Sequence, residues 1–303
     1  MNIETSKFWF IGTGQFAALC LQGLIKNGIN FQRIITGLPT RSGRNNRENP
    51  SAVEIKANEI GLSVSRTGRL TENQELISSL NSKKPDIIFV IDFGQIIRDP
   101  FLSFLCLNIH PSMLPEYRGA APIQRALLDG KTKTGVSVFR LAKAMDAGDI
   151  LTQSEIEISP EDCASDLYIK LSDLGCKISC DVLKNETLKF TPQDNSRSSY
   201  ADKLNKDEFL INLSDSGSAE NFINRVRALD MSGGAYIINS GKRLKIWKAD
   251  LRNDIKSKET GKIFIADGRP FISFSDCCVE LSEVQGEGKK RMTGREWVGG
   301  LRI

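Results

Sequence analysis

An uninterrupted apolar run that follows Asp86 and ends at Ile91 is the feature that most constrains the fold. Strands that are buried on both faces read as continuous hydrophobic runs, and they belong to parallel sheets that helices cover. A second such run, Lys7 to Ile11, turns through Gly12-Thr13-Gly14 into a helical pattern that ends near Gly28. This alternation of strands and helices predicts an α/β domain with a parallel sheet.

Length and composition limit the class of protein. A chain of 303 residues is long enough for two domains, and its net charge of +4 is compatible with a polyanionic partner without requiring one. Seven cysteines and one histidine occur, but no Cys-x-x-Cys pair, so the usual zinc sites cannot be assembled. No apolar run reaches the roughly 18 residues of a membrane span, and the N-terminus does not resemble a signal peptide. We therefore expect free thiols, no metal, no membrane association and a cytoplasmic location.

A polar stretch from Asn185 to Tyr200 divides the chain. Its composition is typical of a linker, so we predict an N-terminal domain over residues 1–190, a linker over 191–204 and a C-terminal domain over 205–303. In the last range an amphipathic helix, Ala219 to Leu229, precedes several short β-like runs. Such spacing predicts a small β-barrel.

The histidine, His110, lies two residues after Asn108 at the end of an apolar run. Alternate residues of a strand point to the same face, so an amide and an imidazole should lie side by side. A lone histidine is more often structural than catalytic. However, acyl transfer needs a donor for a developing oxyanion and a group that titrates near neutrality, and Asn-x-His supplies both. Asp146 follows in a glycine-bearing loop, where a carboxylate is free to reach a partner.

Three motifs in this part of the chain resemble those of the formyltransferases that use 10-formyltetrahydrofolate. They are Asn108 to Pro115, Tyr117 to Gln124 and Met145 to Ile150. The Gly-Ala-Ala-Pro-Ile-Gln variant that begins at Gly119 resembles specifically the methionyl-tRNA formyltransferases, and the similarity runs over nearly the whole chain. The resemblance implies that Asn108, His110 and Asp146 are catalytic. It also implies a Rossmann-like formyltransferase domain followed by a small β-barrel of the oligonucleotide-binding (OB-like) type.

The resemblance further implies a folate pocket formed by the turn after the Asp86 strand and by the segment after His110. For any one of these residues a simple strand exit explains the position equally well. The implied folate-binding residues are Phe93, Gly94, Gln95, Ser112, Met113, Leu114, Pro115 and Leu141.

Two groups of cations are candidate tRNA contacts. The polar loop from Pro39 to Ser51 carries Arg41, Arg44 and Arg47, and the C-terminal tail carries Lys289, Lys290 and Arg291. A charge cluster is usually just a solvated surface. The resemblance implies instead that this loop contacts the acceptor end of a tRNA and that the tail contacts phosphates.

The sequence therefore predicts an enzyme that transfers a formyl group to charged methionyl-tRNA for translation initiation. Its co-substrate is 10-formyltetrahydrofolate, and we expect the enzyme to act as a monomer. A formyltransferase for an amino-sugar nucleotide is the alternative, because the family's Asn-Pro-Trp-Pro is replaced by Asp230-Met231-Ser232-Gly233. A catalytically silent folate- or RNA-binding protein would show a broken triad, whereas this triad is intact. A nicotinamide (NAD) enzyme would need an acidic residue where Thr36 stands.

Overall fold

The structure is a computed structural model that describes residues 5–42, 47–213, 217–255 and 259–301. The chain divides into two compact units. Unit 1 comprises Met1–Pro122, Lys133–Glu157 and Tyr168–Ala201, and unit 2 comprises Ile123–Thr132, Ile158–Leu167 and Asp202–Ile303. The units cut across the ranges expected from the sequence, since unit 1 extends to Ala201 and two shorter stretches belong to unit 2. As a division into domains, 1–190, 191–204 and 205–303 stay a prediction.

The elements from the N-terminus to Ala201 alternate between strands and helices for most of their length. They are β1 (Phe8–Gly12), α1 (Gln15–Lys26), β2 (Phe31–Gly37), β3 (Thr40–Ser42), β4 (Arg47–Asn49), α2 (Ala52–Glu59), β5 (Ser65–Thr67), α3 (Gln74–Lys83), β6 (Ile87–Ile91), β7 (Cys106–His110), β8 (Arg118–Gly119), α4 (Pro122–Leu128), β9 (Lys133–Arg140), β10 (Ile150–Glu157), α5 (Ala164–Leu183) and β11 (Tyr200–Ala201).

The main sheet of unit 1 has the strand order β10-β9-β7-β6-β1-β2-β5. From β7 to β5 neighbouring strands are parallel, whereas β9 and β10 are antiparallel. Every residue of β1 and β6 is buried, as continuous apolar runs require in a sheet that helices cover. The predicted α/β class is confirmed. Parallel strands end at one edge of a sheet, so the turns after β1, β6 and β7 share that edge.

Unit 2 contains a mainly antiparallel sheet beyond the α6 helix. Its elements are α6 (Ala219–Leu229), β12 (Ala235–Asn239), β13 (Lys242–Arg252), β14 (Ile263–Ala266), β15 (Arg269–Ser273), β16 (Cys278–Gly286), β17 (Met292–Thr293) and α7 (Gly294–Gly299). The strand order is β12-β13-β16-β15-β14, with β17 beside β16. Leu244, Ile246 and Val284 on one face are buried, which gives this unit its own apolar core. A β-rich C-terminal part is therefore present, and its OB-like topology stays a prediction.

The structure departs from the sequence-based expectations at three elements. The polar loop after Pro39 contains the β3–β4 hairpin, in which Arg41 stands opposite Glu48 and bonds it at 2.9 Å. The sequence predicts a helix from Leu70 to Leu80. In the structure it is interrupted at Asn73, whose side chain caps α3 by accepting from Leu76 N. The sequence also predicts a long helix that starts at Pro160, whereas the helix of the structure begins at Ala164. Within the described ranges, no helix combines the length and apolar character needed to cross a bilayer.

Candidate active site

Asn108 and His110 occupy alternate positions of β7, which lies between β6 and β9. The two side chains therefore project from the same face of the sheet. His110 is only 5% exposed, and Asn108 is partly exposed. Within the described part of the chain, the amide of Asn108 has no hydrogen-bond partner. It is therefore available to a ligand at this edge of the sheet.

The His110 ring is held by one hydrogen bond and one aromatic contact. Its Nε2 lies 2.9 Å from the carbonyl oxygen of Tyr117. A carbonyl only accepts, so Nε2 carries a proton and donates it. Phe139 meets the ring edge-on at a centroid distance of 6.4 Å. These contacts fix the orientation of the ring and leave Nδ1 as the atom that faces the site.

Asp146 approaches that free nitrogen. Its Oδ2 lies 3.9 Å from Nδ1 of His110, which is too long for a hydrogen bond but within ion-pair distance. The same oxygen accepts from Gly119 N at 2.8 Å. Asp146 has a φ of 50°, a left-handed conformation that is strained for a side-chain-bearing residue. The structure thus brings His110 and Asp146 together beside Asn108, while the catalytic roles of all three stay predictions.

The segment that follows His110 is held in place by side chains that sequence analysis missed. Ser137 Oγ donates to Ser112 O at 2.6 Å and accepts from Leu114 N at 2.9 Å. Gln153 Nε2 donates to Leu114 O at 2.8 Å and to Ser137 Oγ at 2.7 Å. The hydroxyl of Ser112 donates to Glu116 O at 2.6 Å. The buried Ser112 and Leu114 therefore shape this segment through their backbone groups.

No local sequence signal marks Ser137 and Gln153. They lie on β9 and β10 and reach the segment after His110 only because these strands pair beside β7. The partly exposed Met113 and Pro115 are the members of the segment that are open to a ligand.

The turn after β6 combines a buried aromatic residue with an open glycine. Phe93 belongs to the apolar cluster of unit 1, and Leu141 packs against the same cluster. Gly94 has a φ of 74°, with open space where a side chain would project. Gln95 donates to Gly68 O at 2.7 Å and accepts from Leu70 N at 3.2 Å. The turn therefore joins the buried apolar cluster to backbone that is open at Gly94.

A cavity of about 460 Å³ opens beside this turn. Its size falls in the usual range for small-molecule sites. Gln95 and Ile96 form one wall, and the others are formed by Arg69, Leu70, Thr71, Glu72 and Arg98. Gln95 is the residue of the implied folate set that borders the cavity.

The predicted tRNA contacts are divided between the two units. In unit 1 Arg41 is exposed and paired with Glu48, and Arg47 belongs to β4, whereas Arg44 lies outside the described residues. In unit 2 Lys289 and Lys290 are exposed. Arg41, Lys289 and Lys290 therefore lie where solvent reaches them.

Arg291 of unit 2 is more constrained than its two lysine neighbours. Its Nε lies 2.5 Å from Glu283 Oε1, and its guanidinium lies 4.5 Å from the centre of the Trp247 ring. The Trp247 Nε1 donates to Gln285 at 3.1 Å, which fixes the indole. Arg291 is therefore partly neutralised and held against the sheet by a cation–π contact.

Side chains of the protein itself occupy the space around the glycine turn after β1. Thr36 at the end of β2 is fully buried and shares a 2.6 Å hydrogen bond with Ser51, the residue that caps α2. The carboxylate of Asp92 lies against the backbone N–H groups of Phe16 and Ala17 in the first turn of α1. An anion of the chain thus stands where a dinucleotide fold binds pyrophosphate. These contacts favour a structural role for the turn.

Potential metal ligands are not grouped in the described ranges, where no three His, Cys, Asp or Glu side chains come together. The amide, the imidazole and the carboxylate that meet at the site can supply hydrogen bonding and proton transfer.

Comparison with known proteins identifies the family. The Formyl transferase model matches residues 6–183, and the model of the formyl transferase C-terminal domain matches residues 203–302. A methionyl-tRNA formyltransferase of Lactobacillus acidophilus is 35% identical over 96% of this chain and 94% of its own length. One from Caldicellulosiruptor saccharolyticus is 36% identical over 97% and 96%.

A solved structure shows the same fold. The N-formyltransferase from Helicobacter canadensis, in complex with folinic acid and dTDP-3-aminofucose, has a TM-score of 0.65 and 20% identity over 93% of this chain and 100% of its own. At that identity the match concerns the fold alone. The identity to the curated relatives over almost the full length carries the assignment, and the chain belongs to the methionyl-tRNA formyltransferase family of formyl-transferring enzymes.

Proposed function

We propose that the protein transfers the formyl group of 10-formyltetrahydrofolate to the amino group of methionyl-tRNA for translation initiation. The observation that carries the chemistry is the arrangement of Asn108, His110 and Asp146 at one sheet edge. An amide that has no partner among the described residues lies there beside an oriented imidazole, whose Nδ1 faces a carboxylate at 3.9 Å. The family membership supports formyl as the transferred group and supports methionyl-tRNA as its acceptor.

The chemistry of the site follows from which atoms are free. The bound folate supplies a formyl carbon, whose oxygen gains negative charge when an amine adds to it. The amide of Asn108 donates to that oxygen, an interaction typically worth about 10² to 10³ in rate. Because Nε2 of His110 already donates to Tyr117 O, Nδ1 is the ring nitrogen that can act on the substrate.

Asp146 accounts for the proton that the amine must lose. Its Oδ2 has one described donor, Gly119 N, and retains lone pairs that face His110. The carboxylate accepts the proton of the attacking amine, directly or through water, and the proton passes to the leaving folate nitrogen. No covalent intermediate with the protein is needed.

The residues implied for folate fit a pterin-like ligand. The Phe93 and Leu141 cluster is apolar, Gly94 leaves backbone groups accessible, and Met113 and Pro115 are partly exposed. We propose that these residues and Gln95 contact the folate. In the same proposal the backbones of Ser112 and Leu114 form the floor of the pocket.

The proposed acceptor of the formyl group, methionyl-tRNA, is supported by the cations of both units. Exposed Lys289 and Lys290 supply cations for an RNA backbone, and Arg41, Arg44, Arg47 and Arg291 complete the proposed set. An amino-sugar nucleotide is the second candidate. Its support is the fold shared with the Helicobacter canadensis enzyme and the substitution of Asp230 to Gly233 for the family's Trp-Pro motif. Asp230 here is 2.5 Å from Ser165 Oγ and so has a structural partner.

We also propose that the enzyme is cytoplasmic. All seven cysteines are free, in agreement with a reducing compartment. A monomeric state stays a prediction from the sequence.

The test is transfer of labelled formyl from 10-formyltetrahydrofolate to charged methionyl-tRNA by the parent and by Asn108→Ala. We expect formylmethionine with the parent and a loss of about 10² to 10³ in kcat with the variant. Asn58→Ala, at an exposed position of α2, is the matched control and should equal the parent. Absence of formylmethionine with the parent would refute the proposed acceptor, and an undiminished Asn108→Ala would refute the proposed site.

A further inference from the structure

The segment 191–201, which the sequence predicts as linker, is bound along the active-site loops of unit 1. We call it the strap. Thr191 exchanges two backbone hydrogen bonds of 2.8 Å with Ile150. Ser199 N donates to Pro115 O at 3.2 Å, and Ser199 Oγ accepts from Tyr117 N at 2.9 Å. Its last residues form β11, which pairs with β8. The strap therefore contacts the loops that surround His110.

A buried cation lies beneath the strap. Arg118 is only 4% exposed, and a charge in such a place must be compensated. Its Nε and Nη2 donate to Gln193 Oε1 at 3.1 and 2.6 Å, and Nη2 also donates to Asn195 Oδ1 at 2.8 Å. Within the described residues these partners are neutral amides and no carboxylate pairs with it. The Arg118 guanidinium thus binds the strap through these hydrogen bonds.

The position of Arg118 decides which way the Gln193 amide points. A guanidinium only donates, so the atom of Gln193 that faces it must be the oxygen. The amide nitrogen then points to the opposite side, where it donates to Asp146 O at 2.9 Å and to Gly148 O at 2.7 Å. Gln193 therefore connects a buried charge to the turn that carries the catalytic carboxylate.

That turn needs support from outside itself. Asp146 is in the left-handed region at φ 50°, which is unfavourable for an aspartate. Gly148 packs so closely that a methyl group on it would overlap the carbonyl oxygen of Arg140. The turn has an unfavourable backbone conformation, and the two donations from Gln193 hold it at both ends. The carboxylate is then placed where its Oδ2 meets both Gly119 N and His110 Nδ1.

We propose that Gln193 is a positioning residue for formyl transfer: held by Arg118, it fixes the Asp146 turn so that the carboxylate faces His110. The inference rests on the proposed function, since it assigns a task to the site named there. It gives the strap a role in the reaction that its polar composition does not suggest.

Two substitutions separate this role from simple compensation of the buried charge. Gln193→Glu keeps an oxygen acceptor for Arg118 and makes it an ion pair, but it cannot donate to Asp146 O or Gly148 O. Gln193→Met has similar length and neither donates nor accepts. Ser196→Ala, at an exposed position of the strap where the hydroxyl donates to Asp194 Oδ1 at 2.7 Å, is the matched control. Gln193→Glu retains the partner of Arg118, so it tests the proposal even if Gln193→Met fails to fold.

The first readout separates kcat from KM in formyl transfer. We expect Gln193→Glu and Gln193→Met to lower kcat by about 10- to 100-fold, because small misplacements of catalytic groups have effects of this size. KM for the folate and for charged tRNA should change less than about threefold, and Ser196→Ala should equal the parent. A Gln193→Glu variant with parental kcat would show that Gln193 merely compensates Arg118, and it would overturn the proposal.

The second readout uses the single imidazole of the chain and needs no substrate. In a nitrogen NMR spectrum, the Nδ1 resonance of His110 should move in Gln193→Glu in the same direction as in Asp146→Asn and stay in place in Ser196→Ala. This resonance does not depend on which acceptor the enzyme uses. A failure of the proposed role of Gln193 can therefore be told apart from a failure of the proposed function. A resonance that is unchanged in Gln193→Glu but shifted in Asp146→Asn would show that the strap does not position the carboxylate.

Discussion

Gly14 and Asp92 share one space, since a methyl group on Gly14 would overlap the carboxylate of Asp92. Asp92 O accepts from Thr13 N at 3.1 Å and from Gly14 N at 3.0 Å, and its carboxylate lies against the N–H groups of Phe16 and Ala17. Gly14 is the N-cap of α1 and has no side chain to cap it. The carboxyl group at the end of β6 therefore accepts from N–H groups in the first turn of a helix that follows β1.

This relationship predicts that substitutions at the two positions are not additive. We expect Gly14→Ala to destabilise the parent by about 1 to 2 kcal/mol, because the methyl group displaces the carboxylate from α1. In an Asp92→Ala background the same substitution should cost less than about 0.5 kcal/mol. Chemical denaturation of the four proteins of the cycle measures the difference, and equal costs in both backgrounds would disprove the shared space.

A pH dependence follows from the same carboxylate. Desolvation of the carboxyl group raises the pKa of Asp92 from 3.8 to about 6, and hydrogen bonds from Phe16 and Ala17 oppose the rise. The folded state then binds this proton more tightly than the unfolded state. The contribution of Asp92 to stability is therefore greatest below about pH 4, falls as the pH rises to about 6 and stays low above that.

The residue is also exposed, so screening by water limits this effect to about 1 kcal/mol or less. Asp92→Asn should remove the decline. Thermal melting of both proteins from about pH 4 to pH 7 tests the expectation. A variant whose Tm follows the same pH profile as the parent would show that Asp92 does not titrate in this range.

The regular part of the fold was predictable because its signals are local. Fully buried strands such as β6 produce continuous apolar runs, and Gly12 marks the turn into α1. The β3–β4 hairpin was not predictable, since it depends on an exposed pair, Arg41 and Glu48, without alternation of apolar residues. The β16 strand was not predicted as a β run of its own, although Val279, Leu281 and Val284 are buried.

The candidate site was predictable only in part. The spacing of Asn108 and His110 places them on one face of a strand, and the likeness to known motifs indicated Asp146. The supports of these residues were not predictable. Ser137 and Gln193 reach the site through contacts between distant parts of the chain, and nothing in the spacing of serine or glutamine residues signals such contacts.

Ser137 provides a test of the proposed folate pocket. Ser137→Ala leaves the buried Leu114 N without its acceptor, at a cost of about 1 to 3 kcal/mol in stability. We expect the segment after His110 to loosen and KM for the folate to rise about tenfold, while KM for charged tRNA stays within about twofold. Ser82→Ala, which removes an exposed hydroxyl on α3, is the control in steady-state kinetics. A rise in KM for tRNA alone would place this segment on the other substrate.

The tail of unit 2 provides a test of RNA binding by salt dependence. Each phosphate contact with a duplex steepens the fall of log K by about 0.9 per tenfold rise in salt. Replacing Lys289 and Lys290 with Ala should therefore flatten the slope by about 1.8 and leave folate affinity unchanged. Arg291→Ala should have a smaller effect, because Glu283 already pairs with Arg291. Lys177→Ala with Lys189→Ala removes equal charge from exposed positions of unit 1, and an equal flattening there would indicate a non-specific effect.

The central claim, that this site formylates methionyl-tRNA, is tested most directly by letting two acceptors compete for one limiting donor. Labelled 10-formyltetrahydrofolate is offered to the parent enzyme with equal concentrations of charged methionyl-tRNA and a dTDP-linked amino sugar, and the label in each product is counted. Asn108→Ala run in parallel shows that the transfer depends on the site. We expect the label on methionyl-tRNA, in excess over the amino sugar by about 10² or more, because only the tRNA offers a phosphate backbone to Lys289 and Lys290. Label found mainly on the amino sugar would contradict the account.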